Sequence, residues 1–370
     1  MRMNMMNYLR KAILITYSNK FAIQEALGLA WAADYKVVKI IARKYLSRAK
    51  YGIGVGKAGE LKKLSEEFDV KVILFDKRLK SVQIYNLAKI TGIEIIDRER
   101  LILEIFQKRT SNYEANLQVQ LAELRYEIPR AREKVRLARI GEQPGFLGLG
   151  RYDVDDYHRM IRKRMETIIK KLKQVSKRRE LHKKRRLRLG LSLLSFAGYT
   201  GTGKTSLFNI LTGEQKETER GFFTTLATTI RGIKLSGSKV LISDTVGFIS
   251  RLPSYMIGAF KATLEELTYA KLVLLVIDAS EPLKNMIKKY QSCVRILTDL
   301  GVSPKNVLPI FNKFDLTTID EVKEKIKSLN MIPEEVAITS AKTGFGVDSL
   351  KLKIFNMVFV DTTPLSPKVL

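Results

Sequence analysis

The sequence predicts an α/β protein. A small parallel α/β domain is expected over residues 1–110, an antiparallel helical hairpin over 111–190, a second α/β domain over 191–360 and a flexible tail over 361–370. Three observations lead there. Short apolar runs alternate with amphipathic stretches at both ends of the chain, the pattern of a parallel sheet with covering helices. Between those ends, apolar residues recur at alternating spacings of four and three, the pattern of paired helices. The length of 370 residues supports two to three such bodies, at roughly 150 residues per domain.

In the first part, residues 12–17, 35–41, 70–75 and 93–96 read as buried strands. Residues 21–33, 58–68, 81–90 and 98–108 read as helices between and after them. In the second part, Leu117, Leu121, Leu124, Ile128, Ala131, Val135 and Ala138 form one stripe, and Ile161, Met165, Ile168, Leu172 and Val175 form another. Each stripe is narrow, so the two helices are expected to pack on each other. Pro129 lies inside the first stripe and predicts a kink or break there. Gly141, Pro144, Gly145, Gly148 and Gly150 mark the loop joining the helices. His158 and His182 are expected on the hairpin surface, and Cys293 in the core of a later helix pattern at 286–300.

Lys and Arg total 66 against 38 Asp and Glu, a formal net charge of +28. Such an excess favours a polyanionic partner, nucleic acid or an anionic membrane surface. It is unevenly placed: residues 191–370 carry about +5, which leaves about +23 for residues 1–190. Fifteen Lys and Arg lie between Arg159 and Arg188, against Glu166 and Glu180 alone. Few aromatics interrupt that run, so it suits phosphate-backbone contact better than base stacking. One cysteine and two histidines exclude a disulfide framework and a Cys- or His-rich metal cluster. No apolar run approaches the roughly 20 residues of a membrane span, and none has the shape of a secretory signal. The expectation is a cytoplasmic monomer, not an integral membrane protein.

The second α/β part opens with an apolar strand at 193–197 that runs into Gly198-Tyr199-Thr200-Gly201-Thr202-Gly203-Lys204-Thr205, followed by a helix pattern at 206–211. This fits G-x-x-x-x-G-K-[ST], a loop whose backbone N–H groups cradle phosphate at a helix N-terminus. Lys204 is expected to reach the β- and γ-phosphates, and the Thr205 hydroxyl to bind Mg²⁺. Asp244-Thr245-Val246-Gly247 ends a strand at 239–243 and would place Asp244 near Mg²⁺ and the Gly247 N–H near the γ-phosphate. Asn312-Lys313-Phe314-Asp315 follows a strand at 307–311, with Asp315 accepting from guanine N1–H and the exocyclic amine. Adenine lacks those donors and would leave the carboxylate unpaired. Ser340-Ala341-Lys342 follows a strand at 336–339 and supplies backbone N–H to guanine O6. Between the phosphate loop and Asp244 lies Phe223-Thr224-Thr225-Leu226-Ala227, in which Thr225, chosen over Thr224, is expected to coordinate Mg²⁺ only beside a γ-phosphate. The same threonine-rich run also suits an edge strand. GTP or GDP with Mg²⁺ is therefore the expected ligand of a P-loop G domain with Ras-like α/β fold. Lys204, Thr225, Asp244 and Gly247 are the expected catalytic set. Phe248 stands where Ras-like enzymes carry a water-orienting glutamine, so slow unaided hydrolysis is expected.

These motifs resemble the HflX GTPases, within the Obg-like translational GTPases. Asp244 to Ile249 is similar to that family's D-T-V-G-F-I, and Phe223-Thr224-Thr225-Leu226 to its F-A-T-L. Gly54-Val55-Gly56-Lys57, Gln83 with Asn86-Leu87, Asp97-Arg98, and Gln118 to Ala122 with Leu124, Tyr126 and Pro129-Arg130 resemble its N-terminal motifs. The resemblance covers nearly the whole chain. It implies GTP hydrolysis with Mg²⁺ and binding to the large ribosomal subunit and its RNA, here through the basic N-terminal half, in translation, ribosome rescue or biogenesis. The chain departs from the family at the hairpin tip: Gly145-Phe146-Leu147-Gly148-Leu149-Gly150 replaces a longer G-G-I-G-T-R-G-P-G-E, so the ribosome splitting of some members is not carried over. It also ends soon after the last helix, without the C-terminal extension of some bacterial members. The alternative reading is a GTP-dependent switch acting on proteins or an anionic membrane, with no RNA role. A third reading takes Gly54, Gly56 and Gly59, with Asp76 further on, as a dinucleotide fingerprint. However, about ten residues separate that loop from the preceding strand, whereas the motif opens directly from its strand.

Overall fold

The computed structural model describes residues 9–110, 112–139, 151–214, 229–245, 247–253, 255–256, 264 and 266–360. The chain divides into two compact units, Met1–Lys108 with Asn116–Lys173, and Arg109–Ala115 with Gln174–Leu370. The sequence pattern suggested three bodies; here the hairpin is shared between two.

In the first unit, β1 (Arg10–Tyr17), β2 (Tyr35–Arg43), β3 (Val72–Phe75) and β4 (Glu94–Asp97) form a parallel sheet in the order β2-β1-β3-β4. β1 and β3 are its central pair, aligned Leu14 to Leu74. Both are continuous apolar runs buried on their two faces, as parallel strands require. The helices α1 (Lys20–Ala32), α2 (Val55–Glu67), α3 (Ser81–Thr91) and α4 (Arg98–Arg109) follow the strands in turn. Ile13, Ile15, Ile73 and Phe75 pack with Leu61 and Leu87 in one core.

A polar network closes the carboxyl end of this sheet. Asp97 caps α4 by accepting from the Arg100 N–H at 2.9 Å, and its carboxylate also accepts from Leu79 N, the Tyr126 hydroxyl and Arg130 Nη2 at 3.0, 3.0 and 2.7 Å. Arg98 turns inward to Asp76 and Glu25, and Thr16 donates to Asp76 at 2.8 Å. Asp76, the acidic residue of the dinucleotide reading, is buried and held by Arg98 and Thr16. This leaves it unsuited to a ribose, and the fingerprint reading fails on it.

The hairpin helices are α5 (Tyr113–Arg139) and α6 (Arg151–Arg188). Leu117, Leu121 and Leu124 pack with Ile161 and Ile168, joined at the edge by Ile128, Met165 and Leu172. Of the kink or break expected at Pro129, the break does not occur: α5 runs through it. Residues on either side are anchored, Tyr126 and Arg130 on Asp97 and Arg130 also on Leu79 O at 3.0 Å. That tertiary anchorage outweighs the local loss of one helical hydrogen bond. Burial, together with the neighbouring Asp97 carboxylate, pushes the Tyr126 phenol pKa up, so it stays a donor. Arg130→Ala should destabilise the protein by about 3 to 5 kcal/mol, because it leaves the Asp97 carboxylate buried without its counter-ion. Urea unfolding measures this, and a loss below about 1 kcal/mol would show the pair to be structurally idle.

His158 is buried, against expectation. It lies three residues before Ile161, on the stripe that faces α5, so position overrides polarity. The tip at 141–150 and the tail at 361–370 lie outside the described residues. Arg159, Arg162, Lys163, Lys170, Lys173 and Lys177 of α6 are exposed.

In the second unit, a six-stranded sheet runs in the order β10-β9-β8-β5-β7-β6. Its strands are β5 (Leu193–Gly198), β6 (Thr229–Leu235), β7 (Ser238–Asp244), β8 (Leu272–Asp278), β9 (Val307–Asn312) and β10 (Ala337–Ile338). All pairs are parallel except β6 with β7. The covering helices are α7 (Lys204–Thr212), α8 (Leu283–Asp299), α9 (Ile319–Ser328) and α10 (Val347–Phe355). Phe196, Phe208, Leu274 and Leu350 meet in the core, and Cys293 is buried as expected. Burial pushes its thiol up to about 12, so it is an inert packing group. Among the described residues, no helix is long and apolar enough to cross a membrane.

Candidate nucleotide-binding site

β5, β7, β8, β9 and β10 are parallel, so their carboxyl ends open on one edge of the sheet. Gly198, Asp244, Asp278 and Asn312 are the last residues of the first four. Ligands of open α/β sheets bind at such an edge.

Gly198 to Thr205 forms the turn from β5 into α7. Gly203 is left-handed, with φ of 92°, and a Cβ there would lie 2.3 Å from Asn312 Nδ2, so only glycine fits. Thr202 braces the loop by donating to Tyr199 O at 3.0 Å. Lys204 is buried at the start of α7 and donates to Tyr199 O at 2.8 Å and Gly198 O at 3.1 Å. Burial brings its pKa down to about 8, partly opposed by Asp244. Thr205 Oγ1 donates to Asp244 Oδ2 at 3.0 Å. Thr200 is buried and Gly201 exposed at the apex.

The segment after Asp244 is tied to this loop. Thr245 Oγ1 donates to Phe196 O at 2.5 Å, Phe248 N to Gly198 O at 3.0 Å, and Thr200 N to Phe248 O at 2.8 Å. Ser250 N donates to the Tyr199 hydroxyl at 2.7 Å. A Cβ on Gly247 would lie 2.7 Å from Thr200 Cγ2 and 3.2 Å from Lys204 Nζ, so the backbone passes close to both. Phe248 is buried.

On the opposite side, Asn312 Nδ2 donates to Thr202 O at 2.8 Å, while its Oδ1 accepts from Ala341 N at 3.0 Å. Lys313 is left-handed and its ammonium meets Asp278 at 2.5 Å. Asp315 is exposed, and Ser340 Oγ donates to its Oδ1 at 2.6 Å. The rings of Phe314 and Phe345 stack at 4.8 Å, and Lys342 is exposed. The structure thus brings the 198–205, 244–247, 312–315 and 340–342 segments to one edge. Phe223, Thr224, Thr225, Leu226, Ala227 and Val246 lie outside the described residues. Sequence reasoning missed Asp278 and Phe345. Asp278 carried a usable signal, an acidic residue ending an apolar strand as Asp244 does. Phe345 carried none, since its partner Phe314 is 31 positions away.

A glycine-walled phosphate loop, a lysine at a helix start, a strand-end aspartate and an Asn-Lys-x-Asp base loop define a P-loop guanine-nucleotide-binding protein. Comparison with known proteins agrees in each part. The model for the GTP-binding GTPase N-terminal region matches residues 20–107, that for its middle region 109–186, and that described as 50S ribosome-binding GTPase 194–313. The GTPase HflX of Methanocaldococcus jannaschii is 40% identical over 342 residues, 92% of this chain and 84% of that one. That of Thermococcus kodakarensis is 40% identical over 308 residues, 83% and 70% of the two chains. A GTP-binding protein from Sulfolobus solfataricus solved with GDP aligns at a TM-score of 0.50 and 26% identity, over 95% of this chain and 99% of that one. The chain belongs to the HflX family of GTPases, binds guanine nucleotide and hydrolyses GTP.

Proposed function

We propose that the chain is a GTP-driven factor that docks on the large ribosomal subunit through its basic N-terminal half and hydrolyses GTP there. The observation that carries this reading is the charge asymmetry: about +23 lies in residues 1–190, and the described cations of α6 point to solvent. The G-domain match to a family described as 50S ribosome-binding supports it. A surface of this kind binds phosphate backbone with little sequence preference.

Within the G domain, Lys204 exchanges its loop carbonyls for β- and γ-phosphate oxygens, and the Gly247 N–H meets the γ-phosphate. Thr205 and Asp244 form a paired hydroxyl and carboxylate, a hard-oxygen set that fits Mg²⁺. Bound there with Thr225, Mg²⁺ would neutralise charge on the β- and γ-phosphates. Asp315 and the Ser340-Ala341-Lys342 loop read guanine. Asp278 holds Lys313 in place beside the base loop. Because Phe248 cannot orient water, the site is completed by the docked partner.

GTP turnover measured with and without purified large subunits tests this. Turnover by the free protein should be well below about 1 s⁻¹ and rise at least tenfold with subunits. Co-sedimentation in a non-hydrolysable analogue should weaken steeply between roughly 50 and 200 mM salt. Fast unaided turnover, or binding indifferent to salt, would refute the reading.

A further inference from the structure

The loop between β2 and α2 is built as a rigid display. Leu46, Tyr51 and Ile53 are buried and anchor it to the core. Arg48 and Gly52 exchange backbone hydrogen bonds at 2.8 and 3.4 Å. Gln83 Nε2 and Asn86 Nδ2 of α3 donate to Arg48 O at 2.9 Å and Lys50 O at 3.0 Å. What this scaffold holds outward is unusual. Tyr45 is 70% exposed, with the Lys44 ammonium 5.4 Å from its ring centroid. Arg48 and Lys50 are exposed beside it. From Tyr35 to Gly59 there are seven Lys and Arg and no acidic residue.

The glycines that follow add a second, independent observation. Gly54 has an ordinary φ of −65°, and a Cβ on Gly54, Gly56 or Gly59 would meet nothing within 4 Å. Neither conformation nor internal packing calls for glycine there. What glycine provides is bare backbone at the start of α2, where no side chain caps the helix. That suits the close approach of an anionic group from outside.

We propose that the 44–57 loop is a docking platform for single-stranded RNA, with Tyr45 stacking on an unpaired base and the Gly54–Lys57 turn receiving the adjoining phosphate. Aromatic side chains among cations are how proteins hold unstacked bases. An acidic protein surface would supply an anion to the glycine turn but no flat, unstacked base to Tyr45. The platform rests on the RNA reading above for its polyanion, but it differs in kind from α6, whose exposed cations suit backbone contact alone.

The test is fluorescence anisotropy of the full-length protein with a labelled 12-nucleotide single-stranded RNA, a labelled RNA hairpin duplex and anionic phosphatidylserine vesicles. Tyr45→Ala should weaken single-strand binding by roughly 5- to 100-fold. Duplex binding should change by less than about twofold, since backbone contacts remain. Tyr45→Trp should restore single-strand affinity. A Cβ at Gly56 has open space around it, so Gly56→Leu should leave thermal stability intact while lowering single-strand affinity. Single-strand binding unchanged in both Tyr45→Ala and Gly56→Leu would overturn the platform while duplex and subunit binding left the wider reading standing. Loss of vesicle rather than RNA binding in Tyr45→Ala would overturn it in favour of a membrane surface. Wild-type protein that binds neither RNA would overturn both.

Discussion

Lys204→Ala is expected to lower GTP turnover by roughly 10²- to 10³-fold, the usual loss when one preorganised donor to a developing oxyanion is removed. The buried ammonium sits 2.8 Å from Tyr199 O and closes the phosphate loop from inside. Its position also gives a pH signature. Burial lowers its pKa from the ordinary 10.5 to about 8. The folded chain therefore holds this proton less tightly than the unfolded chain. Between about pH 8 and pH 10.5 the unfolded state carries more protons, so stability rises with pH across that window. Below about pH 8 both states are protonated and the burden of the buried charge, about 3 kcal/mol, is present in full. In nucleotide-free protein, the stability of wild type relative to Lys204→Met should climb between those two pH values. A flat difference would mean that the ammonium is well solvated.

Asp315→Asn should weaken GDP binding on the order of 10²- to 10³-fold. The carboxylate can accept from both guanine N1–H and the exocyclic amine. An asparagine offers one acceptor and turns its own N–H₂ against the second donor. Xanthine carries an oxygen at that place, so the same variant should bind xanthosine diphosphate better than wild type does. Ser340 Oγ, 2.6 Å from Asp315 Oδ1, still has an acceptor to meet, and the stacked Phe314 and Phe345 are untouched. Competition between labelled GDP and XDP reads both effects. Retained GDP affinity with no gain for XDP would remove Asp315 from the base site.

Much of this site was legible because its parts are local. Each of the 198–205, 244–247 and 312–315 segments directly follows or ends an apolar strand, so spacing alone placed it. What escaped depends on distance along the chain. Arg98 joins Asp76 and Glu25, 22 and 73 positions away, and no periodicity announces such a set. Pro129 does not end its helix because a local breaking tendency is outweighed by the Tyr126 and Arg130 anchors on Asp97. His158 misled because its place on the apolar stripe was visible, but its polarity was given more weight. Lys313 was assigned by motif, yet its Asp278 partner came only from the fold.

Asn312 spans both halves of the site. One amide donates to Thr202 O in the phosphate loop and accepts from Ala341 N in the base loop, and it leaves no room for a Cβ on Gly203. The two halves of the nucleotide are thus read by loops that share a single side chain. Gly203 cannot take a side chain while Asn312 holds this position, which couples the shape of the phosphate loop to that of the base loop. Guanosine and pyrophosphate supplied as separate fragments should accordingly help each other bind, although no covalent bond joins them.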